Sequence, residues 1–368
     1  MDNEEEDINN SSNFLTQHKL PRYQALPPTR QADLLCDTIR RSFLDCLLGS
    51  GLTGGDAMNA VVDFPTLVAP NNLTQLELEF DAELRTLFSW MRPAPRPCFN
   101  PVMLEEIQRS EKNLEFHQGH FYNSGRLDQV DYVVFASRIA GVFNLGGDLS
   151  MFIQAIMRKD RESLTYYANL CVENQYRRAT GFGADVTTVA LLQGKALGGG
   201  FEAALACDFI IAERSSTVSF PEMLFNLFPG MGALSFLGRR IGLKKAEQII
   251  TSGQVFTAKE MQGIGVIDEV VEDGLGLAAT RMFIHNRQRR AHAYRALQRA
   301  KAQYMPVELS ELRAIVDIWV QAALHLETRD LRMMARLVKA QDKSLTQPLN
   351  DDVVTSLDLP PELAAVNA

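Results

Sequence analysis

The 368-residue chain is poor in cysteine, tryptophan and net positive charge, and each shortage removes a class of explanation. Its five cysteines, Cys36, Cys46, Cys98, Cys171 and Cys207, are odd in number, scattered and without a CxxC pair. Neither a disulfide framework nor a zinc-ligand pattern is indicated, and a reducing cytoplasm fits best. His117 and His120 in "HQGH" have no third ligand in sequence, so no metal is expected. With 45 acidic against 37 basic residues the net charge is −8, which speaks against a nucleic-acid partner, because phosphate neutralisation needs a basic surface. No uninterrupted apolar run approaches the ~20 residues that span a bilayer, and the polar opening "MDNEEEDINNSSNF" is unlike a secretory signal. No GxxxxGK[ST] occurs and no GxGxxG fingerprint is present, so a nucleotide cofactor lacks support and none is expected. The expectation is a soluble, cytoplasmic protein whose 46% hydrophobic residues suffice for a large core.

Residues 1–28 are polar and proline-rich, and read as a flexible arm. The spacing of Leu34, Leu35, Ile39, Phe43, Leu44 and Leu47 predicts an amphipathic helix over 31–48, broken by "GSGLTGG". "LTQLELEF" at 73–80 alternates as a half-buried strand, "AELRTLFSWM" has a helical spacing, and "RPAPRPCFNP" is a connector. Residues 132–152 predict a strand, a Gly-Gly loop and a helix start. From 165 to 272 helical and extended segments alternate: a helix over 163–179, the strands "TTVALLQG", "FIIAE" and "TVSF", a helix from Gly200, helices near 233–251 and 257–263, then "VIDEVV". Such alternation predicts an α/β domain. The stretch 275–345 is helical in pattern, with Ile315, Ile318, Trp319, Ala322 and Leu326 on one face, and 346–368 is a loose tail. The domain plan is thus an arm over 1–28, a catalytic core over 29–274, a helical region over 275–345 and the tail.

Two glycine-rich loops and two glutamates stand out. "KALGGGFEAALACDF" runs Gly198, Gly199 and Gly200 into a helix, and "NLGGDL" places Gly146 and Gly147 before another. Each is compatible with a tight turn that needs positive φ. Two such loops together can also aim two backbone N–H groups at one carbonyl oxygen. Glu202 and Glu222, 20 residues apart, both sit in apolar surroundings, where a carboxyl is costly to ionise and its pKa is raised into the range of acid/base work. Taken singly, each is equally well read as a helix-start glutamate facing the dipole.

The ordered set "FNLGGDL", "VALLQGKALGGGFEAALACDFIIAE", "SFPEMLFNLFPGMGALSFLGRRIG" and "AEQIITSGQVFTAKEMQGIGVIDEVV" resembles the crotonase (enoyl-CoA hydratase/isomerase) superfamily over residues 130–272. The resemblance implies a crotonase-like spiral core of ββα repeats, an α/β fold, with a C-terminal helical trimerisation region and an N-terminal extension. It implies oxyanion amides at Gly147 and Gly199, with Gly146, Gly198 and Gly200 shaping the loops, and Glu202 and Glu222 as the acid/base pair, Glu222 being the preferred base. An apolar tunnel is expected beside them, with Met151, Met223, Leu224, Phe225, Leu227, Phe228, Met231 and Leu234 as wall candidates, several of which plain core packing would explain. CoA-using members often carry a lysine shortly after the loop aspartate, where this chain has Ser150. The extension and the "FPEMLFNLFPGMG" block look most like the diffusible signal factor synthase branch. That likeness implies dehydration of a 3-hydroxyacyl group on acyl carrier protein to a cis-2-enoyl thioester, followed by hydrolysis to the fatty-acid signal of quorum sensing. It also implies a homotrimer or a dimer of trimers, and "RQRR" at 287–290 is a candidate contact for the acidic carrier. The alternatives are a CoA-dependent enoyl hydratase/isomerase of fatty-acid breakdown and a non-catalytic binding or regulatory protein of the same fold.

Overall fold

In the computed structural model residues 72–123 and 125–346 are described. The arm, the helix expected over 31–48, Cys36, Cys46 and the tail beyond 346 lie outside the described residues. Strand β1 (Leu76–Asp81) follows the alternation of "LTQLELEF". Its neighbour β2 (Thr86–Met91) replaces the helix expected for "AELRTLFSWM". Leu84, Leu87, Phe88 and Met91 do fall at helical spacing, but β2 is flanked on both sides, antiparallel by β1 and parallel by β5 (Tyr132–Ser137), and all its residues are buried. A strand covered on both faces loses the alternation that would mark it.

Helix α1 (Pro101–Phe116) starts at the Asn100 cap, whose side chain accepts from the Met103 amide, with proline at the first helical position, where no N–H is needed. The hairpin β3 (His120–Asn123) and β4 (Arg126–Gln129) leads into β5. Then follow β6 (Gly141–Asn144), α2 (Leu149–Met157), α3 (Arg161–Ala179), β7 (Thr187–Leu192), β8 (Gly194–Leu197), α4 (Gly199–Leu205), β9 (Phe209–Glu213) and β10 (Thr217–Ser219). Helices α5 (Ala233–Ile241) and α6 (Leu243–Ser252), strand β11 (Val255–Thr257), helix α7 (Ala258–Gly263) and strand β12 (Glu269–Val271) close the sheet region. The chain continues as α8 (Gly276–Gln288), α9 (Ala291–Tyr304), α10 (Leu309–Leu324) and α11 (Thr328–Thr346).

One sheet has the order β1-β2-β5-β7-β9-β12, antiparallel only at β1/β2. Along β5 the period-2 rule divides the residues: Val133 and Phe135 join the main core, while Tyr132, Val134 and Ala136 join a second core with Ile284 of α8. A second sheet has the order β11-β10-β8-β6, with β6, β8 and β10 parallel. The segments singled out in the sequence leave the C-terminal ends of these three strands: 145–148 after β6, 198–199 after β8 and 220–222 after β10. Parallel strands release their following loops at one edge, which is where α/β sheets form ligand crevices. On α10 the buried face is Leu312, Val316, Trp319, Val320 and Ala323, whereas Ile318, grouped with Trp319 on one face by its spacing, is exposed.

Candidate active site

The two glycine loops touch. A methyl group built on Gly146, whose φ is +92°, would lie 2.7 Å from the Leu197 carbonyl and 3.1 Å from the Gly199 nitrogen, so only glycine permits this approach. A methyl on Gly199 would lie 3.5 Å from the Gly147 nitrogen. The first loop is held by the Gly146 amide donating to Asn144 Oδ1 at 2.8 Å and by the Phe99 amide donating to the Gly146 carbonyl at 2.7 Å. The second is tied to β10 by the Gly198 amide donating to the Ser219 carbonyl at 2.8 Å. Gly199 opens α4, so its amide has no intrahelical acceptor. Gly147 and Gly199 both line one cavity, with Glu202 and Glu222.

Glu202, one turn into α4, is buried at 1% exposure. Its Oε1 accepts from the amides of Met231 and Ala233, each at 2.9 Å, which answers part of the cost of burial. Glu222 follows Pro221 in a short 3₁₀ turn (Pro221–Phe225), and its Oε2 is buried without a hydrogen-bond partner. A methyl on Gly198 would lie 2.2 Å from Glu222 Oε1, so the glycine makes room for this carboxyl. Burial pushes both acids above the ordinary carboxylate range. For Glu202 the two amides act in the opposite direction, whereas for Glu222 the neighbouring Glu202 charge raises it further. Burial thus favours the neutral form of both carboxyls, the two amides support an ionised Glu202, and an ionised Glu202 makes Glu222 harder to ionise. Two carboxyls in one low-dielectric site do not both ionise readily, an arrangement suited to acid/base chemistry.

The rest of the wall is largely apolar: Phe99, Leu104, Leu149, Phe152, Phe225, Leu227, Pro229, Met231 and Trp319 among others. Of the wall candidates, Phe225, Leu227 and Met231 are there. Met223 and Leu234 face outward and are exposed, Leu224 packs towards Gly253, and Met151 and Phe228 rest on the core without lining the cavity. Neighbouring positions in a turn send side chains in different directions, which composition cannot show. Trp319 was expected only as part of a helical tail, yet α10 brings it to within 5.3 Å, ring to ring, of Phe152 and into the cavity wall. Asn174, Gln175 and Arg178 of α3 also line the cavity and were not anticipated. The available signal was their position: they share a helix face with Tyr167 and Cys171, at +7, +8 and +11 from Tyr167, where an apolar stripe would otherwise continue.

Ser150 caps no charge of its own, but its hydroxyl accepts from Arg96 Nη1 at 3.2 Å, and Arg96 is paired with Asp342 at 2.6 Å. A cation thus reaches the place where the resemblance leads one to look for a lysine. Among the described residues no three His, Cys, Asp or Glu side chains gather as metal ligands, and no helix is long and apolar enough to cross a membrane. Cys98, Cys171 and Cys207 are buried free thiols, and burial pushes Cys98 and Cys207 up to about 12.

The enoyl-CoA hydratase/isomerase family pattern matches residues 119–316. Human mitochondrial methylglutaconyl-CoA hydratase is 32% identical over 151 residues, covering 39% of this chain and 40% of that protein. A probable mitochondrial enoyl-CoA hydratase 2 of Arabidopsis thaliana is 29% identical over 185 residues, covering 50% and 55%. The chain therefore aligns with about half the length of these relatives. Among solved structures, enoyl-CoA hydratase from Bacillus halodurans superposes with a TM-score of 0.58 at 19% identity, over 72% of this chain and 100% of that one. A putative polyketide biosynthesis enoyl-CoA hydratase from Bacillus subtilis gives 0.56 at 19% identity, over 73% and 99%. At such identity these superpositions speak to the fold, a mixed α/β crotonase-like fold with a helical C-terminal region.

Proposed function

The chain belongs to the enoyl-CoA hydratase/isomerase family, and from that premise we propose that it dehydrates a 3-hydroxyacyl thioester to the cis-2-enoyl thioester and then hydrolyses the thioester, releasing an unsaturated fatty acid used as a quorum-sensing signal. The observation that carries the reading is the meeting of two carboxyls, one of them held by backbone amides, with two adjacent loop amides in one mostly apolar cavity.

In the proposed reaction the thioester oxygen lies between the Gly147 and Gly199 amides. Donors of this kind are typically worth about 3–4 kcal/mol each to a developing oxyanion. Glu202, whose carboxylate is held by the Met231 and Ala233 amides, takes the Cα proton, and the electron pair moves to the enolate oxygen. The pair then returns to form the Cα=Cβ bond as the Cβ–O bond breaks, and the leaving hydroxyl takes the Glu222 proton and departs as water. Glu202 is now protonated and Glu222 ionised. In the second step Glu222 accepts a proton from a water whose oxygen bonds to the thioester carbon, the C–S bond breaks, and the thiolate takes the proton from Glu202. Both acids return to their starting states, so one pair serves both steps without a net change in protonation.

The proposed carrier is acyl carrier protein, supported by the serine at position 150 and by the basic "RQRR" stretch at the end of α8. A CoA-dependent hydratase is the second reading, favoured by the Arg96 guanidinium beside Ser150. Matched 3-hydroxyacyl thioesters on carrier protein and on CoA separate the two. The proposal expects carrier-protein turnover with release of free cis-2-enoic acid, while strong CoA preference without free acid refutes it. A non-catalytic role predicts no turnover of either. A trimer assembled through the helical tail belongs to the same proposal and is read by light scattering in solution.

A further inference from the structure

The cavity contains more polar groups than the proposed acid/base chemistry uses. Three buried oxygen atoms on or beside its wall lack a hydrogen-bond partner: Glu222 Oε2, Asn174 Oδ1 and Gln175 Oε1. Asn174 and Gln175 are 1% and 3% exposed, and burying unpaired amide oxygens in an apolar wall is costly. The orientation of Asn174 is fixed, because its Nδ2 donates to the Leu104 carbonyl at 3.0 Å, leaving Oδ1 for another donor. Gln175 Oε1 lies against Gly232, where an added methyl would be 2.9 Å away, and Gly232 sits between the two residues whose amides hold Glu202. Gln175 Oε1 thus lies beside the turn that holds Glu202, and Asn174 lines the same cavity. Further along the same face of α3, Arg178 pairs with Glu111 at 2.6 Å, both side chains buried, so the polar character continues beyond Gln175.

The size of the space says what fits. The volume open to the centre of a water molecule is about 40 Å³. At roughly 10–15 Å³ per water this admits about three molecules, one for each unpaired oxygen. Water, with two O–H donors, is the small species that satisfies such acceptors.

We propose that Asn174 and Gln175 are positioning residues that hold resident water beside Glu202 and Glu222, and that this water supplies the nucleophile for thioester hydrolysis. The inference rests on the two-step reading above. Each turnover releases one water at Cβ and consumes one at the thioester carbon, in a cavity whose wall is otherwise largely apolar. Polar groups in that wall keep a water available when the enoyl thioester forms.

The test has two arms. A crystal structure of the full chain, refined where ordered waters are visible, should show water within hydrogen-bond distance of Asn174 Oδ1 and of Gln175 Oε1. Absence of water at both oxygens overturns the proposal, as does their satisfaction by a hydroxyl on a bound acyl chain. In the second arm, Gln175→Met and Asn174→Leu, which keep bulk and remove the acceptor, are given a 3-hydroxyacyl thioester. The ratio of free acid to enoyl thioester should fall at least tenfold in each, with Gln175→Glu, which retains an oxygen of the same reach, restoring most of it. A ratio within twofold of wild type in both acceptor-less variants overturns the proposal. If wild type makes enoyl thioester but never free acid, the hydrolytic reading fails, and the crystallographic arm still decides the water site by itself.

Discussion

Replacing Gly198 by alanine separates stability from catalysis more sharply than any other single change in this site. The residue has φ +48° and ψ −123°, a combination outside the left-handed well that asparagine or aspartate tolerates, so any side chain here costs about 1–3 kcal/mol. At roughly 2–4 °C per kcal/mol for a domain of some 250 residues, that strain lowers Tm by about 2–12 °C. The second effect is local. The new methyl would stand 2.2 Å from Glu222 Oε1, whereas ordinary contacts begin at 3.4 Å, so the carboxyl must retreat by 3.4 − 2.2 = 1.2 Å. Displacement of a reacting group by ~1 Å costs on the order of 100-fold in rate. The expected result is a folded protein, a few degrees less stable, with kcat/KM for 3-hydroxyacyl thioester reduced about 100-fold or more, followed through the enoyl thioester absorbance. Activity within threefold of wild type in a well-folded Gly198→Ala variant would show that Glu222 has no work to do at that position.

Three further outcomes follow from the geometry. Glu222 is raised in the folded state, so the fold keeps a proton that the unfolded chain gives up above about pH 4.3, and this group subtracts stability as pH climbs from there. Glu222→Gln should accordingly raise Tm at pH 8 and leave it nearly unchanged at pH 4, and an equal gain at both would contradict the assignment. Arg178→Met leaves Glu111 buried without its partner and should cost roughly 3–5 kcal/mol in urea unfolding, with partial recovery in the double variant that adds Glu111→Gln. Leu227→Ala should cost about 2–5 kcal/mol and alter acyl-chain preference, whereas Met223→Ser, on the exposed side of the same turn, should stay within about 0.5 kcal/mol with unchanged preference.

The sequence was most informative where backbone chemistry dictates residue type. Gly146 and Gly198 can be read because no other residue permits the close approach of the loops and of Glu222, and Glu202 becomes legible only together with Glu222 and the two glycine loops, since alone it reads equally well as a helix-start residue. The β1/β2 hairpin was misread since Leu84, Leu87, Phe88 and Met91 imitate a helical stripe when a strand is buried on both faces. The anchoring of Glu202 was hidden because it depends on the Met231 and Ala233 amides, which reach it only through the turn at Gly230 to Gly232. Trp319 comes from more than a hundred residues beyond Glu202, and nothing local marks it as a wall of the site rather than of a helix pair. Met223 and Leu234 show the opposite failure: apolar residues in the right segment whose direction is set by the turn.

The central claim is that the glutamate pair and the loop amides form an enolate from an acyl thioester, and proton exchange reads that step without any later chemistry. A saturated acyl thioester lacking the 3-hydroxyl, incubated with the protein in D₂O, should gain deuterium at Cα with wild type and none above background with the Glu202→Gln, Glu222→Gln double variant. No exchange by wild type at any pH, or equal exchange by the double variant, would contradict the account.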